Sequence, residues 1–225
     1  MYYVDRENVE LYVQITNKCN FICDNCFGAC APYRNNEISN EVIFALNKIK
    51  NKIDHGIKRL YIYGGEPTLY LGKVRTLMEQ KLSSNNTIIT NGWWAKSESA
   101  VKNMIECLNK IGVTEIIISQ EDAANKYNFY RGIDYIKLSK YDNICILPSY
   151  KTCGRIFSPM RTKTRKEAIN DSIEENRIFI NLYGDASFCR LFSHGYIGNI
   201  LDEFDNTFFE YINDSEKYER KINLF

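Results

Sequence analysis

Three cysteines lie close together near the beginning of the chain, and they limit what this segment can become. Cys19, Cys23 and Cys26 occur within a run of eight residues. Three thiolates can hold a four-iron cluster and leave one iron open to a small molecule, whereas a structural zinc site is usually closed by four protein ligands. The spacing therefore predicts a reactive cluster. Cys30 follows shortly afterwards, so an alternative is that all four cysteines enclose one zinc ion or fully ligate one cluster.

A second motif begins about forty residues after the cysteines, where the apolar run 60–63 is typical of a buried strand. The strand ends in Gly64, Gly65, Glu66 and Pro67. Backbone without a side chain can approach a ligand closely, and a proline stiffens the exit from a loop. The pattern predicts a strand that leads into a binding loop.

The order and spacing of these two motifs resemble the radical S-adenosylmethionine (radical SAM) family, whose members carry a CxxxCxxC loop after the first strand and a GGE-type loop after the second. The resemblance implies that Cys19, Cys23 and Cys26 bind a [4Fe-4S] cluster. It also implies that S-adenosylmethionine chelates the open iron and that the loop 64–67 receives its amino group, with Glu66 adding charge near that ammonium. In the family an aromatic residue often precedes the third cysteine and seats the adenine; this chain has Asn25 there.

Weaker candidates for cofactor contact follow the later strands. The resemblance places Thr90, Asn91 and Ser119 where family members often hydrogen-bond the ribose or the methionine carboxylate, although Asn-Gly is also a common turn and hydroxyls often cap strand ends. Arg155 would pair with a carboxylate of cofactor or substrate, or lie on the surface. Trp93 and Trp94 form either a substrate-facing wall or, as we favour, ordinary packing.

Apolar runs alternate with helical patterns, which predicts parallel strands joined by right-handed crossovers. The predicted strands are residues 11–15, 59–63, 87–90, 115–119, 143–147 and 177–182, and the predicted helices are 39–54, 71–82, 97–111 and 125–138. The resemblance implies an α/β fold, a partial (β/α)6 TIM-like barrel with a short C-terminal β-hairpin extension. The motifs fall at the carboxyl ends of the strands, where such folds place their sites.

The last quarter of the chain predicts a hairpin over residues 178–189, turned by Gly184 and Asp185. With the following Gly198-Asn199-Ile200, it resembles a shortened SPASM or twitch extension of radical SAM enzymes. We predict a core over 1–175 and an extension over 176–225 that covers the barrel mouth, packed as one globular unit. Cys145, Cys153 and Cys189 are candidates for an auxiliary cluster, but isolated cysteines are more often buried small hydrophobes.

Composition limits the partners. The net charge is +1, and the basic residues are spread along the chain, so no footprint for nucleic acid or an anionic membrane is expected. No apolar run is long enough to cross a bilayer, and no signal stretch begins the chain. We therefore expect a cytoplasmic protein without nucleic-acid or membrane partners. An oxygen-sensitive cluster would further imply anaerobic conditions.

The resemblance implies reductive cleavage of S-adenosylmethionine to methionine and a 5'-deoxyadenosyl radical, which takes hydrogen from a substrate. Flavodoxin or ferredoxin is the expected electron donor, and a peptide or a small natural-product precursor is the expected substrate. About eighteen residues precede Cys19, which leaves no room for a leader-peptide-binding domain and weakens the peptide prediction. Alternatives are an activating enzyme for a glycyl-radical partner and a non-catalytic iron-sulfur or zinc module.

Overall fold

The computed structural model describes residues 9–22, 26, 28–53, 55–119, 138, 140–147, 177–187 and 196–202. Several predicted features lie outside these residues. They are the helix 125–138 apart from its last residue, and the candidates Cys23, Asn25, Cys153, Arg155 and Cys189.

Eight strands form one sheet in the described part of the chain. They are β1 (Glu10–Gln14), β2 (Arg59–Tyr63), β3 (Asn86–Thr90), β4 (Glu115–Ser119), β5 (Ile144–Leu147), β6 (Arg177–Ile180), β7 (Asp185–Ser187) and β8 (Tyr196–Asn199). Their order across the sheet is β5-β4-β3-β2-β1-β6-β7-β8. In this order, every neighbouring pair from β5 through β1 to β6 is parallel. The pairs β6–β7 and β7–β8 are antiparallel. The predicted α/β class and parallel sheet are confirmed.

Three helices follow the first three strands: α1 (Asn40–Lys50), α2 (Leu71–Glu79) and α3 (Glu98–Lys110). A 3₁₀ turn, Pro67–Tyr70, precedes α2. The Ser39 and Ser97 side chains accept hydrogen bonds from the Val42 and Ala100 N–H groups, so both α1 and α3 begin at a hydroxyl cap. Helix α2 ends before residue 82, as Lys81 adopts a positive φ of 50°.

In the described part of the chain, no helix combines the length and the apolar character that spanning a membrane requires.

The main hydrophobic core lies between the sheet and its helices. Alternate strand residues such as Leu11, Leu60 and Ile116 are fully buried together with Leu46 of α1 and Leu108 of α3. Full burial of such a side chain contributes about 1.5–3 kcal/mol. Because side chains alternate along a strand, the intervening residues point to the other face of the sheet.

Aromatic side chains fill the middle of that other face. The Tyr12 ring stacks on Tyr61 at a centroid distance of 4.3 Å and on Phe179 at 4.7 Å. Burial raises the pKa of the Tyr12 hydroxyl, which donates to Glu10 Oε2 at 3.2 Å. The ring stack therefore holds β1, β2 and β6 together on this face.

The predicted hairpin is present, and its place in the sheet is a new finding. Phe179 and Ile180 of β6 pair with Ser187 and Ala186 of β7, and Gly184 turns the chain with a φ of 87°. Strand β6 pairs in parallel with β1. The extension thus continues the sheet beside the strand that leads to the cysteines.

Candidate active site

The cysteine loop follows β1 and is closed at its base by backbone hydrogen bonds. The Cys19 N–H donates to Ala31 O at 3.2 Å, and the Ala31 N–H donates to Asn17 O at 3.2 Å. The chain that leaves the loop stays beside β1, since the Ile38 N–H donates to Ile15 O at 2.8 Å. These contacts fix both ends of the loop that carries the cysteines.

Backbone N–H groups point at the sulfur atoms of this loop. Cys19 Sγ accepts from the Phe21 N–H at 3.4 Å, and Cys26 Sγ accepts from the Cys30 N–H at 3.3 Å. Cys19 and Cys30 are buried, and Cys26 is half-buried and packs against them. Hydrogen bonds to sulfur stabilise a thiolate, which is the form that binds iron-sulfur clusters. The sulfur donors present therefore fit a cluster.

The described residues include no group of three His, Cys, Asp or Glu side chains that could hold a metal ion. Cys23, the second cysteine of the motif, is not among them.

The glycine loop follows β2 and lies directly against the base of the cysteine loop. The Gly65 N–H donates to Thr16 O at 2.7 Å, and the Glu66 N–H donates to Lys18 O at 2.8 Å. A Cβ added at Gly65 would lie 2.0 Å from Lys18 O, and one added at Gly64 would lie 2.5 Å from Thr16 O. Both distances are too short for any side chain. The glycine pair thus permits the two motifs to meet.

The Glu66 side chain lies inside this junction. It is 0 % exposed. Its Oε1 accepts from the Thr68 N–H at 3.0 Å, the Thr68 hydroxyl at 2.5 Å and the Thr90 hydroxyl at 2.7 Å, and its Oε2 accepts from the Asn91 N–H at 2.8 Å. The carboxyl group therefore joins the end of β2 to the end of β3.

Asn91 carries the network back to the cysteine loop. Its side-chain Nδ2 lies 2.9 Å from Asn20 Oδ1 and 3.7 Å from Cys19 Sγ. Ser119, at the end of β4, donates to Thr90 O at 3.3 Å. The structure therefore brings together the ends of β1, β2 and β3 through side-chain contacts, with β4 attached by one hydroxyl.

Both tryptophans pack around this network. Trp94 is buried in the main core, and its Nε1 lies 3.4 Å from Thr90 Oγ1. Trp93 is half-buried, and its Nε1 donates to Thr68 Oγ1 at 2.9 Å. Each indole therefore donates to a threonine that contacts Glu66.

Sequence reasoning missed Thr68 and Asn20, which complete the network. A signal for Thr68 was available. Glu66 is the N-cap of the 3₁₀ turn with Pro67 at its first position, and an acidic cap followed by proline predicts that the cap accepts from the N–H two residues on. For Asn20 no local pattern indicated a contact with residue 91.

Burial gives Glu66 a pH-dependent effect on stability. Loss of solvent raises its pKa above the ordinary value of 4.5, against the lowering effect of its hydrogen bonds. The folded state then holds the proton more tightly than the unfolded state. The stability gained from this tighter proton binding is complete below about pH 4.5 and is lost as the pH rises through the raised pKa of Glu66.

Glu66→Gln cannot titrate at this position. We expect the free energy of unfolding of the wild type to fall, relative to that of the variant, as the pH rises above 4.5. Chemical denaturation of both proteins across a pH series measures this difference. If the free energy of unfolding of the wild type minus that of the variant stays constant, or rises with pH, the raised pKa of Glu66 is contradicted.

The family model of the radical SAM superfamily matches residues 13–141, more than half of the chain. The chain therefore belongs to the radical SAM superfamily of enzymes. The cofactors of this superfamily are S-adenosylmethionine and a [4Fe-4S] cluster. The matched region contains the cysteine loop, the glycine loop and the ends of β3 and β4.

Two curated relatives agree with this family. An S-adenosylmethionine-dependent nucleotide dehydratase of Thermoplasmatales archaeon (strain ISO4-H5) is 33% identical over 96 residues, 40% of this chain and 33% of that protein. YydG of Bacillus subtilis (strain 168), assigned to peptide biosynthesis, is 27% identical over 119 residues, 51% of this chain and 36% of that protein. The chain thus spans about a third of the length of these relatives.

The crystal structure of BtrN in complex with AdoMet and 2-DOIA superimposes with a TM-score of 0.61 at 18% identity, and the match covers 95% of this chain and 85% of BtrN. This likeness shows the fold that the two chains share.

Proposed function

We propose that this enzyme binds its [4Fe-4S] cluster through Cys19, Cys23 and Cys26, cleaves S-adenosylmethionine reductively, and abstracts hydrogen from a peptide or a small natural-product substrate. The observation that carries the proposal is the direct junction between the cysteine loop and the glycine loop at the carboxyl ends of β1 and β2. In this arrangement the sulfur ligands and the backbone that would receive the cofactor belong to one hydrogen-bonded unit.

The cysteine loop supplies the ligands in this proposal. The Phe21 and Cys30 N–H groups donate to Cys19 Sγ and Cys26 Sγ, which favours the thiolate form that a cluster needs, and burial of Cys19 excludes water from that side. Cys30 remains outside the ligand set, which leaves one iron for the cofactor.

The glycine loop orients S-adenosylmethionine. Its backbone at residues 64–66 would receive the methionine amino group, and buried Glu66 holds that backbone in place through Thr68, Thr90 and Asn91. Asn25, Pro67, Thr90, Asn91, Ser119 and Arg155 complete the proposed cofactor-binding set. When bound, the two cofactors supply the 5'-deoxyadenosyl radical that abstracts hydrogen from the substrate, with an electron donated by a flavodoxin or ferredoxin.

The relatives support two substrate classes for this reaction. YydG is assigned to peptide biosynthesis, and the dehydratase is named for nucleotides. We place this chain with enzymes that act on a peptide or a small natural product. Its extension at 176–225 would then cover the barrel mouth beside β1.

The test of the proposed activity is cofactor cleavage under strictly anaerobic conditions. Protein reconstituted with iron and sulfide is mixed with S-adenosylmethionine and a strong reductant, and methionine and 5'-deoxyadenosine are measured by chromatography. We expect both products in equal amounts, and none without reductant. A protein that holds zinc and forms neither product would show a non-catalytic metal-binding module instead.

A further inference from the structure

We propose that Asn91 raises the reduction potential of the cluster by donating a hydrogen bond from its side-chain amide to Cys19 Sγ. This inference rests on the proposed function, because Cys19 must be a cluster ligand. It gives Asn91 a role toward the metal ligand in addition to its proposed contact with S-adenosylmethionine.

The contacts of the Asn91 amide support this role. The residue is 5% exposed, and its side-chain Nδ2 lies within hydrogen-bonding distance of two acceptors: Asn20 Oδ1 at 2.9 Å and Cys19 Sγ at 3.7 Å. A sulfur atom accepts at a longer distance than oxygen because its radius is larger. The Cys19 thiol also donates to Asn20 Oδ1 at 3.9 Å. A thiolate ligand has no proton to donate, so this contact would be lost when Cys19 binds the cluster.

The orientation of the amide is fixed by its own neighbours. Asn91 Oδ1 accepts from the Trp93 N–H at 3.0 Å, and the Asn91 N–H donates to Glu66 Oε2 at 2.8 Å. A rotated amide would place its NH₂ group against the Trp93 N–H and turn its oxygen toward a sulfur. The network around Glu66 therefore keeps the donor directed at Cys19.

Reduction adds negative charge to an iron-sulfur cluster and its cysteine sulfurs. An N–H donor at a sulfur stabilises the more negative state, and hydrogen bonds to sulfur are one of the means by which proteins set cluster potentials. The Phe21 N–H also donates to Cys19 Sγ, and substitution at residue 91 leaves that backbone donor in place. Removal of the Asn91 donor should thus lower the potential without removing the cluster.

The test is a redox titration of the reconstituted protein without S-adenosylmethionine, followed by electron paramagnetic resonance (EPR) of the reduced cluster. We expect Asn91→Ala to lower the equilibrium constant for one-electron reduction about tenfold, which corresponds to about 59 mV. Asn91→Asp, which loses the donor and adds a negative charge, should lower it further. Asn85→Asp is the matched control, because it adds the same charge at the other end of β3, where Asn85 contacts Lys58 O.

An intact cluster with the wild-type potential in both residue-91 variants would overturn the inference. Wild-type protein that forms no cluster on reconstitution would instead contradict the proposed function. If neither variant holds a cluster, pulsed EPR of wild-type protein labelled with ¹⁵N in asparagine side chains decides. A hyperfine coupling that persists in an Asn20→Ala, Asn25→Ala double variant would support the inference, and absence of coupling would overturn it.

Discussion

Gly65→Ala should lower the free energy of unfolding by about 3 kcal/mol and abolish S-adenosylmethionine binding, because a new Cβ would lie 2.0 Å from Lys18 O. Both contacting groups belong to the backbone, so no side chain can rotate away. The glycine loop would have to leave the cysteine loop and give up the hydrogen bonds from Gly65 to Thr16 and from Glu66 to Lys18. Chemical denaturation and calorimetric titration with the cofactor measure the two effects.

Gly72→Ala provides the matched control for this substitution. Gly72 lies in the first turn of α2, and apart from its chain neighbours and the backbone of its own helix no heavy atom of the described residues lies within 4 Å of a Cβ built there. Alanine in a helix is favoured over glycine by about 0.5–1 kcal/mol. The control should therefore be as stable as the wild type or more so. Equal stability and binding in Gly65→Ala would contradict the close approach of the two loops.

Cys19→Ala should remove the cluster and reduce cofactor cleavage by a factor on the order of 1,000 or more, since a cluster that loses one of its three thiolates is held by two cysteines only. The same result is expected for Cys26→Ala. Iron and sulfide analysis, together with the cleavage assay described above, measures both losses. The folded state should persist, as Cys19 lies outside the main core.

Cys107→Ala and Cys30→Ala are the controls that test whether the loss of iron and cleavage is specific to the proposed ligands. Cys107 lies on α3, and its replacement should change neither iron content nor cleavage. Cys30 lies in the cysteine loop but outside the proposed ligand set, so Cys30→Ala should keep a cluster and the cleavage reaction. Loss of iron in Cys30→Ala equal to that in Cys19→Ala would instead favour a closed site with four cysteines.

The sequence predicted most of the fold because its signals were local. Apolar runs marked β1 to β5 within one residue of their observed bounds, and Ser39 and Ser97 marked the starts of two helices. The position of β6 beside β1 depends on pairing between residues far apart in the chain. No local pattern encodes such a choice, so the sequence predicted the strand but not its neighbour.

The site shows the same division between local and distant information. The resemblance, carried by the order and spacing of the two motifs, predicted that Cys19, Gly64, Gly65 and Glu66 belong to one binding region. The structure adds the contacts among them: Glu66 reaches Thr90 across 24 residues, and Asn91 reaches Cys19 across 72. The proposed roles of Cys23, Asn25 and Arg155 stay predictions, as those residues lie outside the described part of the chain.

An EPR spectrum of the reduced cluster in Cys30→Ala protein, recorded with and without S-adenosylmethionine, tests the central claim most directly. If three cysteines leave one iron open, the variant forms a [4Fe-4S] cluster and its g values change when the cofactor binds that iron. A cluster whose spectrum is the same with and without a saturating concentration of cofactor, or a variant that forms no cluster, would contradict the claim.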